Sequence, residues 1–137
     1  MMDDTQHNWL SIPARRDIVA QLDRIALPAD AKVILERLLD TTVTVGTRVL
    51  AIGRQVLAFA FDMVKRFRGI AFGALIAVTV SSLIASTPLV GGALAALLAP
   101  LLLAFGLTLG ALEDLRNGAL REPLVRFGTA ITDAAHG

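Results

Sequence analysis

The sequence predicts an all-α membrane protein, with a two-span transmembrane helical hairpin preceded by a long amphipathic helix. Three observations indicate this fold. Residues 69–112 form a run of forty-four residues without a charged side chain. Ser86-Thr87-Pro88 interrupts this run near its middle. Residues 30–68, immediately before the run, repeat apolar side chains at the three- and four-residue spacing of one helical face.

The uncharged run is about twice as long as one membrane crossing, because ~20 helical residues span ~30 Å of hydrocarbon. We therefore expect two spans, over residues 69–87 and 90–112, with the turn near Pro88. These nineteen and twenty-three residues are enough to cross a bilayer with modest tilt. Pro100 lies near the middle of the second span and removes a backbone donor, which predicts a kink there.

Composition agrees with a membrane protein. The chain of 137 residues is 55% hydrophobic and 18% charged, whereas soluble chains have about 25% charged residues. The mean hydropathy is +0.65. A net charge of +1 gives no electrostatic argument for nucleic acid, and the sequence carries no specific signal for it. The absence of cysteine excludes disulfides, thiolate metal sites and cysteine nucleophiles.

Residues 1–29 are interpreted as an acidic tail followed by a short amphipathic helix over residues 13–27. Ile18, Leu22 and Ile25 fall on one face of this helix, and Leu27-Pro28 ends it because proline disfavours helical geometry in the preceding residue. At the other end of the chain, residues 113–137 form a polar cytoplasmic segment. Asn117-Gly118 is a helix stop signal there, and Pro123 suits the start of another short helix.

Residues 30–68 are predicted to form one long amphipathic juxtamembrane helix. Its apolar stripe is wider than a two-stranded coiled-coil seam, and a column of small residues recurs beside it every seven positions. Such a helix either lies on the membrane surface or packs with copies of itself or a partner in the cytoplasm. The small column consists of Gly46, Gly53 and Ala60, and the stripe of Leu35, Leu38, Val45, Val49, Ile52, Val56, Phe59 and Met63.

Small residues also recur within the two predicted spans. Every fourth position of the first span is small, and the second span carries a GxxxG pair. Such columns allow close approach of helix backbones in lipid. The columns therefore serve either packing of the two spans within one chain, which is the favoured interpretation, or oligomerisation. The residues concerned are Gly69, Gly73, Ala77, Ser81 and Ala85 in the first span and Gly106 and Gly110 in the second.

Flanking charges predict the topology. Lys65, Arg66 and Arg68 precede the first span, and the turn between the spans is uncharged. Three arginines follow the second span: Arg116, Arg121 and Arg126. Because positive residues stay on the cytoplasmic side, we expect an integral protein of a bacterial inner membrane with both termini in the cytoplasm. Lys65, Arg66 and Arg68 are also candidates for contact with anionic lipid headgroups.

Catalytic chemistry has no support in the sequence. The only histidines, His7 and His136, stand near the two ends without companion ligands, so we expect no metal site and no cofactor. No ionisable residue lies within either span, which argues against a pump or an ion-coupled transporter. We therefore expect that the protein is not an enzyme.

Two functional hypotheses follow. In the first, the protein is a structural or accessory membrane subunit that anchors and assembles helices, with itself or with a partner membrane protein. In the second, an oligomer of the chain permeabilises membranes. An amphipathic region followed by a hydrophobic hairpin resembles the layout of pore-forming colicin domains and some phage holins, at the level of architecture. A third possibility is a soluble chain whose hairpin is buried in an oligomer.

Overall fold

The computed structural model describes residues 14–45 and 47–136, of which 76% are helical, and the protein is all-α in class. Seven helices and one two-stranded antiparallel sheet lie within these residues. In chain order the elements are α1 (Arg15–Asp23), α2 (Ala29–Leu39), β1 (Val43–Val45), β2 (Arg48–Leu50), α3 (Ile52–Arg66), α4 (Phe72–Ser86), α5 (Pro88–Phe105), α6 (Leu109–Asn117) and α7 (Arg121–His136).

The N-terminal pair α1–α2 is fixed by one apolar contact face and two ion pairs. Ile18 and Leu22 are the buried residues of α1, one turn apart as an amphipathic helix requires. The helix ends at Asp23, four residues before the predicted end, and α2 begins directly after Pro28. Arg15 Nε lies 2.7 Å from Asp40 Oδ1, just after α2. Lys32 is paired with Asp23 in the same way, at 2.6 Å.

The prediction of one long helix over residues 30–68 is wrong. The structure divides this stretch into α2, a β-hairpin and α3, and the hairpin pairs Val43 with Leu50 and Val45 with Arg48. The reason lies in residues 41–49, of which seven are threonine or valine. Such β-branched side chains lose rotamer freedom in a helix and suit a strand. The alternation Val43-Thr44-Val45 is the strand pattern that the seven-residue repeat concealed.

Helix α4 forms the centre of the fold. It packs against α3, α5, α6 and α7, and its residues from Phe72 to Val80 are all buried. A helix that is apolar on every side is stable when other helices surround it, because it then buries no polar side-chain face. The one buried hydroxyl there, of Thr79, donates to the Leu75 carbonyl at 2.7 Å, so no hydrogen-bonding cost is incurred.

The second predicted span, residues 90–112, is also interrupted. Helix α5 ends at Phe105, and Gly106 follows with φ 63° as a left-handed C-cap. Only glycine adopts this conformation without strain. Thr108 then starts α6, its Oγ1 accepting a hydrogen bond from the Ala111 amide at 3.2 Å. The chain therefore turns back along α4 instead of continuing outward.

No helix within the described residues combines, on its own, the length and the apolar composition of a membrane crossing. The segments Val90–Phe105 and Leu109–Asn117 reach both criteria only as a pair, across a bend of 103°.

Two aromatic stacks connect the outer helices to the core. The rings of Phe59 in α3 and Phe127 in α7 stack with centroids 4.4 Å apart, and both side chains are buried. Phe61 in α3 stacks on Phe72 at the start of α4, at 4.8 Å. Both α3 and α7 also pack against α4.

Candidate membrane-contact and assembly surfaces

The outer face of α5 is an uncharged surface without a partner among the described residues. The inner face of the same helix is buried through Val90, Leu94, Leu97 and Leu101. The residues of α5 that point outward are all small or apolar, and Leu103 among them is 84% exposed. Helices that are apolar all round are normally covered, and contiguous exposed apolar surface marks interaction sites. The outer face of α5 consists of Gly92, Ala93, Ala95, Ala96, Ala99 and Leu103.

A groove of about 470 Å³ runs between α2 and α5, next to this outer face. Val33 and Leu103 contribute its most exposed apolar side chains, at 57% and 84%. One acidic and one basic residue stand on the α2 side of the groove. We call it the α2–α5 groove; it is lined by Asp30, Val33, Ile34, Arg37, Pro100, Leu103 and Ala104.

The small-residue column of the predicted long helix lies inside the chain as far as the structure describes it. A Cβ added to Gly53 would overlap the carbonyl oxygen of Leu38, so this glycine lets α3 start directly against the end of α2. Ala60 is fully buried. Gly46 lies outside the described residues. Gly53 and Ala60 are therefore occupied by internal packing and are not free for another copy.

The column of the first predicted span is used partly in the same way. A Cβ on Gly73 would overlap the ring of Phe105, and Ala77 is fully buried. Ser81 is half-buried, whereas Gly69 is exposed and has no neighbour within 4 Å of an added Cβ. Close packing of α4 on α5 therefore involves the middle of the column and not its beginning.

The remaining predicted positions have different roles. Gly106 caps α5, and Gly110 in the first turn of α6 is exposed with open space around it. Pro88 is the first residue of α5, where its missing N–H is harmless. Pro100 lies inside α5, which continues to Phe105, and its ring lines the α2–α5 groove.

The basic residues divide into two groups at opposite ends of α4. Lys65, Arg66 and Arg68 are exposed where α3 ends, before the first residue of α4. Arg66 Nε lies 3.8 Å from Asp62 Oδ2. At the far end, Arg116 and Arg121 line a cavity of about 290 Å³ that the last turn of α4 also borders.

Helix α7 also contacts this far end of α4. A Cβ built on Gly128 would lie 3.5 Å from Ser86 Oγ. Ser86 is the last residue of α4, directly before Thr87 and the turn into α5. The charged segment that follows the hairpin in sequence is thus folded against the turn of the hairpin in space.

The two shortest ion pairs among the described residues, Arg15–Asp40 and Lys32–Asp23, lie at the surface. The hydrogen bond from Arg15 lowers the pKa of the Asp40 carboxyl below its ordinary value, and the positive charge of Arg15 acts in the same direction. The hydrogen bond to Asp23 raises the pKa of Lys32. Gln55 is buried, and its Oε1 accepts no hydrogen bond from the described residues. In residues 14–45 and 47–136, no group of three or more histidine, aspartate or glutamate side chains is arranged to hold a metal ion.

Two features escaped the sequence reasoning. The α2–α5 groove joins residues some seventy positions apart, so its only sequence signal is the spacing of Asp30 and Arg37 by seven on one helix. The contact of Gly128 with Ser86 depends on the reversal at Gly106, for which the sequence signal is an isolated glycine in an apolar run.

Comparison with protein-family models, with curated proteins and with solved structures finds no match to this chain.

Proposed function

We propose that this protein is a noncatalytic structural or accessory subunit of a membrane, anchored by its α4–α5 hairpin. The observation that carries the proposal is the outer face of α5, which is apolar along its whole length and uncovered. A lipid bilayer solvates such a face, because acyl chains need no hydrogen-bonding partners from it. The amphipathic helices α3 and α7 lie at the membrane surface beside the hairpin.

The hairpin needs additional residues to cross a bilayer. At 1.5 Å per residue, the 15 residues of α4 and the 18 of α5 are about 22 and 27 Å long, against ~30 Å of hydrocarbon. The uncharged residues 69–71 and 106–112 adjoin the two helices. On entry into lipid, residues 69–71 extend α4, and residues 106–108 become helical so that α5 continues into the first turn of α6; this supplies the missing length, since lipid strongly favours internally hydrogen-bonded backbone.

Entry of the hairpin also requires that α6 and α7 leave α4. In the compact fold, Arg116 and Arg121 lie at the turn end of α4, and Lys65, Arg66 and Arg68 at its other end. Carrying one arginine to the bilayer centre costs about 2.5–3.5 kcal/mol on insertion scales. We propose that the turn crosses alone, and that both basic groups, and with them both termini, stay on the cytoplasmic side.

A charge placed on the outer face of α5 tests the anchor. Ala99 is exposed, so Ala99→Arg is compatible with the compact fold but places a cation in the lipid. The fraction of protein that floats with anionic vesicles after a carbonate wash should fall at least about tenfold, given an insertion cost of about 2.5–3.5 kcal/mol.

Val125→Arg is the matched control. It adds the same charge at an apolar position of α7 that is 62% exposed, and it should leave flotation within about twofold of the wild type. Equal flotation of Ala99→Arg and the wild type would exclude α5 as the membrane element.

A second candidate function is permeabilisation of membranes by an oligomer. The supporting observation is that α4, an apolar helix, lies enclosed by α3, α5, α6 and α7. Release of a trapped dye from vesicles on addition of the purified protein, absent with Ala99→Arg, would favour this function. Full flotation without dye release would favour the accessory subunit.

A further inference from the structure

The exposed side of α2 carries a symmetric arrangement of four side chains. Two aliphatic residues lie at its centre, and residues of opposite charge lie at equal distances on either side of them. Asp30, Val33, Ile34 and Arg37 follow one another at positions i, i+3, i+4 and i+7, and all four line the α2–α5 groove. This spacing places them on one face of the helix. An acid stands at one end of the face, a base at the other, and two aliphatic side chains lie between them.

Asp30 lies in the first turn of α2 and Arg37 in its last turn, where their charges complement the helix dipole. Among the described residues, neither Asp30 nor Arg37 forms an ion pair. Both are exposed, as is Val33 between them. The Leu103 side chain, 84% exposed, stands across the groove on α5. The groove is thus apolar along its middle and oppositely charged at the two ends of its α2 side.

We infer that the α2–α5 groove binds a second copy of this chain, with α2 of each copy antiparallel in the groove of the other. A two-fold axis between Val33 and Ile34 gives this arrangement. The midpoint of positions 30 and 37 falls between these two residues, so Asp30 of each copy meets Arg37 of the other. Val33 then packs on Ile34 of the second copy. Such self-complementary contacts define an isologous interface.

Charge distinguishes a second copy from lipid as the occupant. Acyl chains cover Val33 and Leu103 but provide no counter-charge for Asp30. Opposite charges placed symmetrically about an apolar centre are matched by the same surface rotated by 180°. The groove is also continuous, through Leu103, with the outer face of α5, so pairing leaves Ala95 and Ala99 free for the bilayer.

This interface specifies the assembly step of the proposed function, but it does not depend on membrane insertion. Self-association is measured in a mild detergent without lipid, and membrane association is measured by flotation with Ala99→Arg. Failure of one therefore leaves the result of the other unaffected.

The test uses two charge-reversal variants, alone and mixed. Asp30→Arg gives every copy two cations at the interface, and Arg37→Asp gives every copy two anions. Each variant alone should dissociate at least tenfold more readily than the wild type in analytical ultracentrifugation. An equimolar mixture should form heterodimers of wild-type strength, because each cation then faces an anion.

Glu36→Arg is the control, since Glu36 is an exposed acid of α2 that does not line the groove, and it should associate like the wild type. Comparable unfolding midpoints for all variants would exclude damage to α2. A monomeric wild-type protein would overturn the proposal. So would association of the single variants at wild-type strength, or a mixture that fails to recover it.

Discussion

Gly73 in the first turn of α4 lies directly against the aromatic ring of Phe105, the last residue of α5. Gly91, near the start of α5, approaches the backbone of Ile84 in the same way, with an added Cβ 2.9 Å from its Cα. One glycine at each end thus lets the two uncharged helices lie close together over their whole length. The hairpin is a tightly packed unit, as membrane-entering helix pairs require when dispersion is the main attraction.

The first prediction concerns this contact. Gly73→Leu should lower the free energy of unfolding by about 1–3 kcal/mol, the usual cost of forcing extra atoms into a packed site. Gly69→Leu is the control, because nothing lies within 4 Å of a Cβ at that exposed position. Urea unfolding followed by circular dichroism measures both variants. Equal stabilities would contradict the close approach at Gly73.

The second prediction concerns the attachment of α7. Phe127 is 1% exposed and stacks on Phe59, so Phe127→Ala should destabilise the protein by about 3–5 kcal/mol. Val125→Ala, two residues earlier and 62% exposed, should cost less than about 0.5 kcal/mol. Limited proteolysis should cleave the α6–α7 region first in Phe127→Ala. Uniform cleavage along the chain would indicate that α7 is not held through this ring.

The third prediction is a pH dependence. Arg15 holds the pKa of Asp40 below its ordinary value in the folded protein, so the folded state binds this proton less tightly than the unfolded state. The resulting stabilisation is present above pH ~4, near the unfolded pKa, and is lost as the pH falls through the lowered folded value. Asp40→Asn and Arg15→Gln should each flatten the decline of the urea midpoint below pH ~4. A decline as steep as that of the wild type in both variants would exclude this ion pair as a contributor.

The all-α class was predictable because the apolar periodicity is strong and glycine, proline and polar residues punctuate it clearly. The division of residues 30–68 was not predictable, because apolar residues recur there every seven positions, as a helix allows, and the first two of them also fit the alternation of a short β-hairpin. These residues are Val43, Leu50, Leu57 and Val64. Residues 43–50 form a hairpin instead of a helix because they are rich in β-branched side chains. The close packing of Gly53 against Leu38 also favours the hairpin. The small column was expected to serve packing or oligomerisation, and Gly73 and Ala77 are buried within the chain.

The candidate surfaces were harder to predict for a physical reason. The chain reverses its direction at Gly106, whose φ is 63°. Because of this reversal, Arg116 and Arg121 lie near the hairpin turn. A single glycine in an apolar run fits close helix packing as well as a helix C-cap, so it does not by itself predict a positive φ. The α2–α5 groove likewise arises from the approach of two distant helices, which no local pattern of residues 30–37 encodes.

The central claim is that the α4–α5 hairpin enters the bilayer and leaves α6 and α7 behind. A disulfide between α4 and α7 tests it most directly. Ser86 Oγ lies 3.5 Å from a Cβ built on Gly128, so cysteine side chains at these two positions come close to each other, and the chain has no cysteine to interfere. The double variant Ser86→Cys with Gly128→Cys is purified, oxidised and mixed with anionic vesicles, and the floating fraction is measured before and after reduction.

We predict that the oxidised protein floats at least tenfold less than the wild type, and that reduction of the same sample restores wild-type flotation. The single variants Ser86→Cys and Gly128→Cys should float normally under both conditions. Flotation of the oxidised protein at the wild-type level would contradict the account, because the hairpin turn would then reach the membrane with α7 still attached to α4.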